Sequence, residues 1–165
     1  MGQATLRAMI EECSSRIEIV FQRQGEVRPM WHCVTSEGEE MAMAPPPFLS
    51  KDLAVTLMQA FFELKDVVRY VFVNEAWILQ MTVDSDEAAA SLARVNEEGL
   101  ANHPDRIEVV MFAGEDENGM LTAQRVIERP AGRKPRLGPL EFPDLTGVRS
   151  EGRMVGLLPQ RGTVQ

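Results

Sequence analysis

V-V-R-Y-V-F-V-N-E-A-W-I-L, residues 67–79, decides the fold. It is the densest β-branched and aromatic run in the chain, the composition of a central, well-buried strand. Asn74 and Glu75 interrupt it with polar groups. Side chains alternate along a strand, so Glu75 shares a face with Val71, Val73 and Trp77. A carboxylate on that apolar face is costly unless something pairs or hydrogen-bonds it.

The elements on either side fit around this strand. Upstream, Ser50 caps a helix predicted to about Lys65, with Asp52 in its first turn to suit the dipole. Leu53, Leu57, Ala60, Phe61 and Leu64 form its expected packing face, widened by Ala54, Met58 and Phe62. So apolar a helix is expected to lie on a sheet with a second contact beside it. Earlier still, 30–35 and 39–44 read as a β-hairpin around Ser36-Glu37-Gly38, ended by Pro45-Pro46-Pro47. Leu6, Ile10, Cys13, Ile17 and Val20 mark an amphipathic first helix, with Thr5 as N-cap and Gly25 as stop. Core packing is the commoner use of such a stripe; pairing with a second copy is the other.

Downstream, 84–98 reads as an alanine-rich, acidic surface helix ending at Gly99. Residues 107–113 alternate as a strand, Asn118-Gly119 predicts a type I′ turn, and 120–129 return as its partner. From Pro130 the chain becomes rich in proline and glycine. Six basic residues there face three acidic ones, so 130–165 carries +3 and the rest of the chain −11. One domain over 1–129 and a basic arm over 130–165, with an edge strand at 137–142, is the expected organisation.

The predicted order is therefore α-β-β-α-β-(α)-β-β-(β): an α+β, two-layer domain with a mainly antiparallel sheet of about five strands and two main helices. Profilin-like and roadblock-like modules use a similar order, a likeness of fold that carries no function.

Composition bounds the function. With 165 residues, 44% hydrophobic and 25% charged, the chain can build one domain with a real core. Its net charge of −8 repels a phosphate backbone, so no nucleic-acid partner is expected. No apolar run reaches membrane-spanning length and the start lacks signal-peptide regions, so no membrane association is expected. Cys13 and Cys33 fall on different elements and read as free thiols in a cytoplasmic protein.

The polar residues that could do chemistry are His32, Asn74, Glu75, His103, Asp105 and Arg106. Glu75 and His103 are the acid–base candidates, and His32, His103 and Glu75 the weak metal candidates. The plainer reading pairs Glu75 with Arg106 as an ion pair and makes 103–105 turn chemistry. Asn74, Trp77, Arg106 and Trp31 are binding candidates. His32 and Cys33 are adjacent on a strand and point to opposite faces, so they do not form a nucleophile pair. H-x-H, H-E-x-x-H, C-x-x-C, G-x-S-x-G and the P-loop are all absent, and no metal or cofactor is expected.

Asn74-Glu75-Ala76-Trp77, His103-Pro104-Asp105-Arg106-Ile107-Glu108 and Glu115-Asp116-x-x-Gly119 resemble segments of a family of small bacterial and phage-type α+β proteins. The resemblance covers about the middle third of the chain and implies a small soluble domain with no assigned activity. The leading functional expectation is a non-enzymatic domain that self-associates or binds a protein partner. Its contact surfaces would be the first helix, the methionine-rich first hairpin and the basic tail. The alternative is a small hydrolase using Glu75 and His103, with or without a metal.

Overall fold

The structure, a computed structural model, describes residues 2–79, 86–99, 102–143 and 157–158. Along the chain run α1 (Gly2–Gln24), β1 (Met30–Thr35), β2 (Glu40–Met43), α2 (Lys51–Leu64), β3 (Val67–Ile78), α3 (Asp86–Glu98), β4 (Ile107–Asp116), β5 (Gly119–Glu128) and β6 (Arg136–Leu137). The strands form one curled antiparallel sheet, a half-barrel, in the order β2-β1-β3-β4-β5-β6. The α+β class is as the sequence indicates. The sixth strand is β6, shorter than the expected 137–142, with an isolated bridge between Gln124 and Glu141 beyond it.

β3 is central because both of its faces are covered. Val71 and Val73 face α1 and pack with Leu6, Ile10, Cys13, Ile17 and Phe21. Tyr70 and Phe72 face the other way and pack with Met58 and Phe62 of α2. Burial on both faces explains why the run is continuous rather than alternating. The molecule is two-layered over most of the sheet, and α2 adds a layer beside β1 and β3.

α1 settles on the sheet through the stripe read from the sequence, with Phe21 rather than Val20 as its last buried member. The helix begins at Gly2, so Thr5 lies inside it rather than capping it. Gly25 stops it in the left-handed region (φ 71°), its N–H closing on the Phe21 carbonyl at 2.7 Å. Gly114 lets α1 approach: a Cβ there would stand 2.9 Å from Leu6 Cδ1. Arg125, buried on the same face, pairs with Glu18 of α1 and donates to the Gly138 carbonyl at 2.6 Å and to Ser14 Oγ at 3.4 Å. One guanidinium thus joins α1, β5 and the segment after β6.

α2 is capped as expected, with the Leu53 N–H donating to Ser50 Oγ at 3.3 Å. Its buried side is the flank that widens the expected face, with Phe61 of the expected row half-buried beside it. Ala54, Met58 and Phe62 are buried, whereas Leu53, Leu57 and Leu64 face solvent. A helix apolar over most of its circumference has two possible inner faces. The side that brings Phe62 onto Tyr70 (ring centroids 5.1 Å apart) is the one used.

The β4–β5 turn also differs from the expectation. Its central residues are Glu117 and Asn118, and among the described residues Asp66 is the only non-glycine with positive φ. A type I′ turn needs positive φ at both central positions, so this is not one. The left-handed step falls on Gly119 alone (φ 131°), and Asp116 Oδ1 accepts the Asn118 N–H at 2.8 Å.

Part of the stretch after Pro130 is built into the fold. β6 pairs with β5, and the Arg7 guanidinium lies 3.9 Å from the centre of the Phe142 ring. Leu157 is buried beside α2, its N–H donating to Glu115 Oε2 at 3.0 Å while Tyr70 donates to the same oxygen at 2.6 Å. The rest of the expected arm, and the first two residues of the helix expected at 84–98, lie outside the described residues.

Candidate functional site

Three places could carry function. The first is the end of β3 read from the sequence. At the level of Glu75, α1 has ended and the chain turns toward β1 through Val27. The Val27 N–H donates to Glu75 Oε1 at 2.7 Å, so a backbone amide, not Arg106, satisfies the carboxylate. The register explains why. Glu75 faces Val110, four residues along β4 from Arg106, or about 13 Å of extended strand. Arg106 instead reaches the Trp77 ring, 5.6 Å from its centre.

Trp77 is 46% exposed and stands directly opposite Glu108. Glu108 accepts from Arg129 at 2.5 Å and also from the Trp77 side chain. The Arg129 hydrogen bond above all holds the Glu108 carboxyl below its ordinary range. Glu75, Ala76, Trp77, Glu108 and Ile127 line a groove of about 260 Å³. Both charged residues of the lining are carboxylates; Glu108 is neutralised by Arg129, and Glu75 is held by the Val27 amide.

His103 is buried in its own turn: its Nδ1 accepts the Asp105 N–H at 3.1 Å and its carbonyl accepts from Arg106 at 3.3 Å. It does not line the groove, and Glu75 and His103 are each engaged locally rather than with one another. Asn74 lies half-buried on the opposite face of β3, across from Met111. Trp31 is in the core, its ring 4.6 Å from Phe72, with no partner for its Nε1 among the described residues. Among the described residues, no three of His, Cys, Asp and Glu gather closely enough to hold a metal ion.

The second place joins residues that sequence separation hides. Met9, Glu12, Cys13 and Arg16 of α1 and His32, Glu40 and Ala42 of β1–β2 line a cavity of about 200 Å³. Arg16 pairs with Glu12 and lies 3.9 Å from Glu40. Burial pushes the Cys13 thiol up to about 11, so it stays protonated. Burial first, and then the Arg16 charge, lowers the His32 pKa below 6.5, and its buried Nε2 has no partner among the described residues.

His32 therefore makes stability depend on acid. The unfolded imidazole takes up its proton as pH falls through about 6.5, while the folded one resists until lower pH. Its contribution is complete above that value and is lost below it, at a slope of at most about 1.4 kcal/mol per pH unit. His32→Gln is expected to flatten this part of a thermal-melt series between pH 5 and 8. An unchanged acid slope would show that His32 is not its source.

The third place is the outer face of α2, which the sequence reading assigned to the core. Leu53, Leu57 and Leu64 are 55%, 49% and 80% exposed, and Phe48 just before the helix is 85% exposed. Ala60, also exposed, completes the row. Single exposed apolar residues are normal on a protein surface; an aligned row is less so. The signal was present in the sequence as the 4-3-4 spacing of 53, 57, 60 and 64.

Comparison with known protein families, curated proteins and solved structures finds no match.

Proposed function

We propose that this chain is a non-enzymatic interaction module of the cytoplasm, and that the outer face of α2 is its docking surface. The observation that carries the reading is the row Leu53, Leu57, Ala60 and Leu64, left in water by a helix that already buries its other side. Covering such a row contributes about 25 cal/mol for each Å² of apolar surface removed from water. The compartment is supported by two buried free thiols, Cys13 on the α1 side of the sheet and Cys33 on the α2 side. Among the described residues, no helix is long and apolar enough to cross a membrane.

Hydroxyl-radical labelling tests the surface without knowing the partner. Phe48, Leu57 and Leu64 are expected to label readily in dilute purified protein and to be protected when the protein is labelled inside cells. Equal labelling in both settings would overturn the reading.

A further inference from the structure

We propose that the groove at the end of β3 binds an amphipathic cation: an aliphatic ammonium group, whether of a free amine or of a lysine side chain. Glu75 meets the charge, and Trp77 and Ile127 take the carbon chain. The groove lies on the face of the sheet opposite α2, so this site and the docking surface stand or fall separately.

The groove exists because α1 stops at Gln24. The helix covers Val71 and Val73, whereas Glu75 and Trp77, next on the same face of β3, are exposed. The chain leaving α1 reaches Glu75 through Val27, whose N–H donates to Oε1 at 2.7 Å. The remaining space, about 260 Å³, has room for a short alkyl chain and its ammonium head.

Charge sets the sign of the ligand. The neighbouring guanidiniums are engaged elsewhere: Arg129 with Glu108, Arg28 with Glu26, and Arg106 with the Trp77 ring. An amide hydrogen bond leaves Glu75 its charge, and no cation pairs with it among the described residues. A carboxylate so placed repels an anion and favours a cation.

The apolar lining sets the class. Glu75 is exposed, so its attraction for a bare metal ion in water is weak. Ile127, 7% exposed, forms the floor of the groove, and Trp77 forms part of its wall. These surfaces favour contact with carbon, and an indole ring attracts an ammonium group as well. Arg106 does not line the groove and Trp77 does, so the guanidinium over the ring leaves indole surface facing the space. The ring is also fixed in advance. Its side chain donates to Glu108, which Arg129 holds in turn, so little freedom is lost on binding.

An NMR titration of the full chain tests the site at constant ionic strength. The probe is n-butylammonium, and the control is butyrate, of similar size and opposite charge. The amine is expected to shift the Trp77 indole N–H and the Val27 amide along saturating curves, with a dissociation constant of about 1–10 mM. Butyrate is expected to shift neither, and Trp31, in the core, supplies a reference indole signal. Glu75→Gln keeps an oxygen for the Val27 N–H and removes the charge. It is expected to melt like the parent and to bind the amine about tenfold more weakly. Trp77→Leu, at an exposed position, is expected to weaken binding severalfold.

Nα-acetyl-lysine methylamide separates the two sources. Binding at least as tight as that of butylammonium assigns the site to a lysine of a protein; binding of the free amine alone assigns it to a small molecule. Equal shifts with butyrate, or shifts that never saturate with any probe, would overturn the site. So would a folded Glu75→Gln variant that binds the amine as tightly as the parent; should that variant not fold, the same result with Trp77→Leu decides.

Discussion

Phe62→Ala is expected to lower the unfolding free energy by about 3–5 kcal/mol, measured by chemical denaturation. Phe62 is fully buried and fills the space between α2 and β3, against Tyr70 and within a cluster that includes Trp31, Met58 and Leu157. Removing the ring leaves a cavity that these neighbours, held by the sheet, can only partly close. Two residues along the same helix, Leu64→Ala is expected to change stability by less than about 0.5 kcal/mol, because Leu64 is already in water. Docking at the outer face of α2 should respond in the reverse order, with Leu64→Ala weakening it while the fold stays intact. Equal destabilisation by the two substitutions would mean that α2 does not have distinct inner and outer faces.

Arg125→Ala is expected to cost about 2–4 kcal/mol. Glu18 is partly exposed and can rehydrate once its partner is gone, so its share is small. The larger loss comes from the Gly138 carbonyl, left without its donor, and from the buried stem of the arginine. Arg125→Lys should recover little, since one ammonium cannot reproduce a fork that serves Glu18, Ser14 and Gly138 together. Hydrogen exchange should locate the damage, with protection lost first at the amides of Gly138 and Glu141, which bond to β5. Stability within about 0.5 kcal/mol of the parent would show that the guanidinium is only a surface group.

Local chemistry made much of the fold readable. The apolar run at 67–79 could only be a central strand, and Ser50, Gly25 and the stripe of α1 each act within a few residues of themselves. What depends on the choice between equivalent local solutions was not readable. α2 presents two apolar sides, and only the shape of the surface made by Tyr70, Phe72 and Trp31 selects Met58 and Phe62 over Leu57 and Leu64. The site residues divide in the same way. Parity along β3 placed Glu75 with Val71 and Val73, but its hydrogen-bond partner is a main-chain N–H that no side-chain pattern announces. His32 and Cys13 line one cavity because α1, seated on β3, β4 and β5, leaves a space beside β1 and β2, a fact of tertiary packing.

The Arg125 cross-tie also bears on the order in which the chain can fold. Ser14 and Arg125 are 111 residues apart. At about 5–20 residues per second, a ribosome needs roughly 6–22 s to make the chain between them. For most of that interval α1 has been made, with Leu6, Ile10, Ile17 and Phe21 in search of a surface, while β4 and β5 do not yet exist. A helix that must wait so long for its sheet is a natural client for a chaperone, and its apolar stripe is the segment such a chaperone would hold.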